Sequence, residues 1–407
     1  MIHRVAIIIL VFLASDFSTL HPCTSFALAD PPSTRFGDPL PGLTAEQLRL
    51  FHLGREGFEA EESDSDGIGP VFNARSCVAC HDLPQSGGGS QILSTRFGTI
   101  NEGRYDSLVD LGGPTIQTQG AQGVDGFQFV GEVIPDEATI VARRRANPLF
   151  GLGLVDSVPD LSFYFEAFLQ SILSPETAGR PNVVLDLRSA EWTVGRFGWK
   201  AGIGSLFDFA ADAYKDEMGI TVPGSIRDED GRLVSQENAP QGDIPQLAFN
   251  LVESPNESDD LDIVGFNDFM TLLAPPPTQA MSGQARQGKE IFRQIGCADC
   301  HQPTMRTGRN AIAALDRVAF QPYSDFLLHN MGALGDGLEQ GWARGNEMRT
   351  APLWGLKELP FYLHDGRAET VDEAIRMHDG QGRRSKVRFE NLPNVKRSAL
   401  LDFLDRL

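Results

Sequence analysis

The string Cys-x-x-Cys-His occurs twice, as Cys77-Val78-Ala79-Cys80-His81 and Cys297-Ala298-Asp299-Cys300-His301. Two cysteines three apart share one turn, so both thiols reach one edge of a flat ring, and the adjacent histidine reaches its centre. This spelling is the attachment signature of c-type haem, with the histidine on the iron from the proximal face. The expectation is two covalently bound haem c groups, anchored by Cys77, Cys80, Cys297 and Cys300 and ligated by His81 and His301. Two other readings compete. A thioredoxin-like dithiol sits in a βαβ pattern, absent here, and needs no following histidine. A zinc site would have to unite two Cys pairs far apart in the chain, and would leave both histidines without a simple role.

The opposite face of each iron decides its chemistry. Iron closed by His/Met or His/His carries electrons, whereas an open position binds peroxide. Between Asp82 and Glu217 there is no His and no Met. For the first haem Met218 is therefore the leading sixth ligand. Its neighbour Glu217 is the alternative, as a carboxylate over an open iron acting as acid and base. A Met in a core and a Glu on a helix surface are the plainer readings of both residues. For the second haem His378 is preferred and Met377 comes next. His329 and His364 suit propionate or backbone contacts. Arg143, Arg144, Arg145 and Arg349 suit haem propionates, since a guanidinium pairs with carboxylates through two hydrogen bonds; a solvated basic run is the alternative. Trp199 and Trp354 suit either electron relay or packing.

Elements that must position these residues recur in order. Gly54-Arg55-Glu56 precedes the first motif and Gly288-Lys289-Glu290 the second. Asn147-Pro148-Leu149-Phe150-Gly151-Leu152 and Ala351-Pro352-Leu353-Trp354-Gly355-Leu356 follow them. Next come Gly195-Arg196 and Gly366-Arg367, and then helical segments over 205–218 and 370–378. Aligning Ala213 with Ala374 sets Glu217 against His378. The expected fold is mainly α, with two cytochrome c-like haem domains and a small β-containing insertion in the N-terminal half. In that insertion, roughly residues 99–181, strands are expected at 127–133 and 139–142 and a helix at 161–174. Residues 225–257 read as a long polar loop. The run Ala274-Pro275-Pro276-Pro277-Thr278 is the clearest linker, because proline blocks helix. It divides an N-terminal domain, 30–273, from a C-terminal domain, 279–407.

The chain has 407 residues and a formal net charge of −20, from 55 acidic and 35 basic side chains. Such acidity argues against nucleic acid and anionic membrane surfaces as partners, and suits both solubility and a basic redox partner. Residues 1–29 read as a signal peptide: Arg4, an apolar run from Val5 to Leu13, and Ala27-Leu28-Ala29 before Asp30. Its removal discards Cys23, the one cysteine outside the two motifs. A periplasmic location without stable membrane insertion is expected, because c-type haem is attached outside the cytoplasmic membrane.

The chain resembles the bacterial di-haem oxidoreductases, a peroxidase family also labelled thiol oxidoreductase. The resemblance rests on Gly69-Pro70-Val71-Phe72-Asn73-Ala74-Arg75-Ser76-Cys77, Gly195-Arg196-Phe197-Gly198-Trp199-Lys200, Glu217-Met218-Gly219-Ile220-Thr221, Tyr323-Ser324-Asp325-Phe326-Leu327-Leu328-His329 and Leu363-His364-Asp365-Gly366-Arg367-Ala368. It is more distantly similar to di-haem cytochrome c peroxidases and to the methylamine dehydrogenase maturation enzyme. That likeness implies one haem that takes in electrons from a small redox protein and another that meets hydrogen peroxide, with Glu217 as the counterpart of the catalytic glutamate. The peroxidases supply a Met to the electron-entry haem where this chain has His378. They also hold calcium between the haems, for which the sequence displays no ligand set. Two other functions remain open: a non-enzymatic carrier with both haems six-coordinate, and a haem enzyme that oxidises or matures a partner protein.

Overall fold

In the computed structural model, residues 34–63, 66, 68–122, 128–186, 189–220 and 260–407 are described. The leader and the 225–257 loop expected from sequence lie outside them. Nine helices occur among the described residues: α1 (Ala45–Glu59), α2 (Leu152–Asp156), α3 (Asp160–Leu173), α4 (Leu206–Met218), α5 (Asp260–Leu272), α6 (Gly283–Gln294), α7 (Val371–Met377), α8 (Arg383–Glu390) and α9 (Asn394–Leu404). Those that lead into or face the motifs begin at Ser or Thr caps. The hydroxyls of Thr44, Ser205, Ser282 and Thr370 accept from backbone amides three residues on. Thr44 and Thr370 complete capping boxes with Gln47 and Glu373.

The sequence repeat is a structural repeat. Helix α1 packs against a single 3-10 turn, Cys77–Ala79, that follows β1, and against α5. Helix α6 runs into the turn Cys297–Asp299 and packs on α9. In each pair the helices meet at the repeated glycine. A Cβ on Gly54 would fall 2.0 Å from the Gly265 carbonyl oxygen, and one on Gly288 would fall 2.0 Å from that of Ala399. One turn further on, Phe58 lies 4.9 Å from Phe269 and 6.1 Å from His81 between ring centroids. Phe292 lies 5.5 Å from Phe403 and 6.4 Å from His301. The crossing, the aromatic and the histidine are therefore one unit built twice.

The second repeated element is also explained. Gly151 and Gly355 take φ of 72° and 68°, a left-handed conformation that favours glycine. Their Cα atoms sit against the proline run: a Cβ would fall 2.8 Å from Pro275 Cβ and 2.9 Å from Pro276 Cγ respectively. The segment read as a linker thus packs between equivalent glycines of the two halves. Residues Thr34–Leu407 form one compact unit. Its main core cluster includes Phe51, Phe150, Phe269 and Met218, and a second cluster gathers Phe292, Tyr323 and Phe403.

Helix outweighs strand, but β structure is not confined to the N-terminal insertion. The described strands form five small antiparallel sheets. In the N-terminal half β1 (Val71–Phe72) pairs β4 (Gln119–Gly120), β2 (Leu93–Asn101) lies between β3 (Arg104–Asp106) and β5 (Ile140–Arg145), and β6 (Asn182–Leu185) pairs β7 (Trp192–Gly195). The C-terminal half has its own two pairs, β8 (Met305–Arg306) with β9 (Ala319–Phe320), and β10 (Leu328–Asn330) with β11 (Glu347–Arg349). The helix expected at 161–174 is α3, and the strand expected at 139–142 begins β5. The strand expected at 127–133 is absent from its described part, 128–133, apart from one bridge between Gln122 and Gln128. There the backbone bonds irregularly, Phe129 N–H to Ala121 and Glu132 N–H to Gln117.

A buried charge cluster ties the halves. Lys200 Nζ lies 2.9 Å from Asp336 Oδ1, and Arg144 Nη2 lies 2.6 Å from Asp336 Oδ2; the Lys200 and Asp336 side chains are fully buried. Lys200 also donates to the carbonyls of Arg344, Gly345 and Glu347. Burial drives the Asp336 carboxyl up, but Arg144 and Lys200 outweigh it and hold it below the usual range.

Two consequences are measurable by denaturant unfolding. Asp336→Leu strands both Lys200 and Arg144 and should destabilise by about 3–5 kcal/mol; adding Lys200→Met should recover part of the loss, and no recovery would refute the ion-pair account. Gly288→Ala should cost about 1–3 kcal/mol or more by overpacking. Gly283→Ala, with open space around it, should stay within about 0.5 kcal/mol.

Candidate haem sites

Two cavities open onto the two Cys-x-x-Cys-His turns. The C-terminal cavity, about 1350 Å3 with its open mouth, is lined by Cys297, Cys300, His301 and His378 among others. The N-terminal cavity, about 1110 Å3, is lined by Cys80, His81, Asp212 and Glu217 among others. Cys77 leans on the main core cluster.

Both motif histidines are set up in the same way. His81 Nδ1–H donates to the Gly88 carbonyl at 3.0 Å, and His301 Nδ1–H to the Tyr323 carbonyl at 3.1 Å. A carbonyl only accepts, so Nδ1 carries the proton and Nε2 keeps its lone pair. Burial disfavours the imidazolium in both: it lowers the His81 pKa, and burial together with nearby His378 pushes His301 down to about 4. A neutral imidazole with its second nitrogen fixed by a backbone carbonyl is the form that binds a metal. All four cysteines are free. Burial pushes the thiols of Cys77, Cys80 and Cys297 up to about 12 and raises Cys300. That is the reverse of a reactive redox dithiol, whose thiolate is stabilised. Among the described residues no group of three or more His, Cys, Asp or Glu is arranged to hold a metal ion.

The two cavities differ on the face opposite the histidine. In the C-terminal cavity the His301 and His378 ring centroids stand 6.4 Å apart, a separation that two metal–imidazole bonds of about 2.0–2.1 Å would span. His378 caps the C-terminus of α7, and its Nδ1–H donates to the Ala374 carbonyl at 2.8 Å. Its neighbour Met377 is turned outward and exposed. In the N-terminal cavity His81 is the only His or Met among the lining residues. Helix α4 turns by about 100° per residue, so the adjacent Glu217 and Met218 part company: Glu217 lines the cavity and Met218 is buried in the main core cluster. Met270 is in that core as well, and His52 is exposed. Ala213 and Glu217 thus line one cavity as Ala374 and His378 line the other.

The N-terminal cavity is rich in acid. Glu217 Oε2 accepts from Asn73 Nδ2 at 2.8 Å, and its backbone carbonyl accepts from Asn73 N–H at 2.7 Å. Burial raises the Glu217 carboxyl, opposed by Arg96 and the Asn73 bond. Burial, and next Asp216, push Asp212 up to about 7. Arg96 Nη2 sits 3.6 Å from Asp216 Oδ2. Sequence reasoning missed Asn73, Arg96, Asp212 and Asp216. The signal for the two aspartates was present, since acids four apart on an otherwise apolar helix fall on one face.

Other expected residues divide sharply. Trp199 lines both cavities, and its Nε1–H donates to the Arg145 carbonyl at 2.9 Å; Trp354 is in the core beside Phe320. Arg143 is exposed and Arg144 is committed to Asp336, so neither serves as expected. Arg145 and Arg349 are buried, line the C-terminal cavity and donate to backbone carbonyls, from Arg145 Nε to Leu363 and from Arg349 Nε to Gly198. Burial pulls both down to about 10, a sign of cations lacking a close carboxylate. His329 does not await a propionate: its Nε2–H donates to Asp325 Oδ2 at 2.9 Å and its Nδ1 lies 3.4 Å from Cys300 Sγ. Burial opposes its protonation, yet Asp325 outweighs that and raises it well above the usual imidazole range. His364 lies edge-on to Trp199, and burial pushes it down to about 4.

A flat anionic cofactor fits these cavities. Each offers a neutral imidazole with a free Nε2 beside half-buried cysteines, and the buried Arg145 Nη1 has no hydrogen-bond partner within the protein.

No curated protein matches the chain. Among solved structures it is similar to a hydrazine synthase from Kuenenia stuttgartiensis (12% identity, 97% of this chain and 99% of that one, TM-score 0.38). It is also similar to a MauG-like protein associated with microbial copper homeostasis (14%, 94% and 95%, 0.39) and to the diheme peroxidase BthA from Burkholderia thailandensis (15%, 93% and 88%, 0.41). These superpositions are too loose to fix the fold. A family model described as "Di-haem oxidoreductase, putative peroxidase" matches residues 121–407, beginning after the first Cys-x-x-Cys-His turn. With well over half of its length so matched, this chain belongs to the di-haem oxidoreductase family.

Proposed function

We propose that this protein is a periplasmic c-type di-haem oxidoreductase that reduces hydrogen peroxide at its N-terminal haem, with electrons entering at its C-terminal haem from a small redox protein. Cys297 and Cys300 would anchor one haem c, with His301 and His378 as the residues that would ligate its iron. Haem c at Cys77 and Cys80 is held by His81 and faces Glu217. The observation that carries this reading is the asymmetry of the cavities: a second histidine across one, and carboxylates with no second His or Met across the other. No helix among the described residues is long and apolar enough to cross a membrane.

When bound, haem iron supplies single electrons and an open position for peroxide. The chain supplies proton handling and orientation. Reduction of peroxide to two waters consumes two electrons and two protons. Glu217 takes a proton from the incoming oxygen and returns it to the departing one, as a positioned carboxyl does in general acid–base catalysis. Asn73 fixes one carboxyl oxygen. Trp199, in the wall of both cavities, lies on the route between them.

Optical absorption and low-temperature EPR test the asymmetry. The oxidised protein should contain one low-spin and one high-spin haem, and peroxide should perturb the high-spin one. His378→Ala should convert the low-spin haem, whereas Met218→Ala should leave both spectra unchanged and cost about 2–5 kcal/mol of stability. A low-spin N-terminal haem lost in Met218→Ala would make the protein a carrier instead.

Glu217→Gln should slow peroxide turnover by about 10²–10⁴-fold. A base must be deprotonated, and burial raises this carboxyl. Wild-type turnover should therefore climb with pH through a carboxyl pKa above the ordinary range, and the variant should lose that limb. A variant that keeps it would remove Glu217 from the role.

A further inference from the structure

Arg145 ends β5, in the wall shared by the two cavities, and it lines both of them. Its backbone N–H donates to the His364 carbonyl at 2.8 Å and its Nε–H to the Leu363 carbonyl at 2.8 Å, which anchor it to the C-terminal half. Its guanidinium carbon stands 5.3 Å from the centroid of the Trp199 ring. The side chain is buried, Nη1 has no hydrogen-bond partner, and among the described residues no carboxylate forms an ion pair with it. The neighbouring Arg144 is neutralised by Asp336. Burying a charge is costly unless it is paired. A buried guanidinium left in this state requires an anion from outside the polypeptide.

We infer that Arg145 is a single anion seat shared by the two cofactors, pairing with carboxylates of both prosthetic groups and coupling the two redox centres. The inference rests on the di-haem reading above and adds to it a thermodynamic link. A guanidinium presents five donors in a planar fork, and with Nε–H given to Leu363 the four Nη donors remain, enough for two carboxylates at once. A cation that lines both cavities would act on both cofactors, because charge interactions persist over longer distances away from bulk water. Its positive charge favours the reduced form of each iron, so its presence raises both midpoint potentials. Trp199 beneath the guanidinium brings the proposed electron route and the charge control into one contact.

The test is a spectroelectrochemical titration of the full-length holoprotein, resolving the two haems by their separate absorption changes. Arg145→Gln should lower both midpoint potentials together. Arg143→Gln, at an exposed position on the same strand, should move neither. If Arg145→Gln cannot be obtained with both haems in place, Arg145→Lys decides: it keeps the charge but loses the fork, and both potentials should still move in parallel, by less. Movement of one potential alone, or of neither, overturns the shared seat. Mass spectrometry and the reduced spectrum of the wild type give the haem count. Fewer than two haems overturns the di-haem reading together with this inference, whereas two haems with one shifted potential overturns this inference alone.

Discussion

Everything at the two sites depends on a helix crossing too close for any side chain at its centre. Gly54 meets the Gly265 backbone, and Gly288 meets the Ala399 backbone. Backbone-to-backbone contact fixes both the distance and the axial offset of the two helices, since neither can slide without a clash. The offset sets Phe58 and Phe292, one helical turn on, against aromatic residues of the partner helices. Those phenylalanines then abut His81 and His301. The position of a ring nitrogen is thus determined by a glycine more than two turns of chain away. A small shift at the crossing would be delivered to the histidine undamped, because packed interiors transmit strain.

On that common frame the halves diverge at one place. The fourth residue after a cavity-facing alanine is Glu217 in one half and His378 in the other. A histidine there closes a gap of 6.4 Å between imidazoles. A glutamate there meets Asn73 and a cluster of other acids. The first arrangement would offer a metal an imidazole on each face, and the second leaves a carboxyl in the wall of a cavity that also holds an imidazole with a free nitrogen. Duplication followed by exchange of one side chain is therefore sufficient to turn two equal sites into a pair with different chemistry.

Much of this was legible in the sequence, because repeats expose shared constraints. The two motif histidines, the glycine pairs, the Pro-Leu-aromatic-Gly-Leu elements and the Glu217/His378 correspondence all appear as ordered matches. What could not be read was direction. The sequence put Met218 first and Glu217 second over the first iron, yet a turn of about 100° sends Met218 into the core and Glu217 into the cavity. Four arginines looked alike, but Arg143 is exposed, Asp336 captures Arg144, and Arg145 and Arg349 are buried with no carboxylate ion pair among the described residues. Asp336 lies 192 residues from Arg144, a separation at which no local pattern signals pairing. The β structure of the C-terminal half went unseen because its strands are two or three residues long, too short for alternation to register.

The distribution of charge around the cavities completes the physical account. Acids gather on the wall formed by α4, where burial keeps protons on them to higher pH. Cations gather on the wall between the cavities, where burial and the want of carboxylates leave them seeking anions. In the proposed reading, such a field would favour a flat cofactor's carboxylates at the shared wall, held by Arg145 and Arg349, with the cysteines left to anchor it. The acid wall disfavours the reverse pose by like-charge repulsion whenever those acids ionise. In the proposed reading the same partition would separate proton chemistry from electron traffic, with Glu217 on α4 and Trp199 with Arg145 in the wall shared by both cavities.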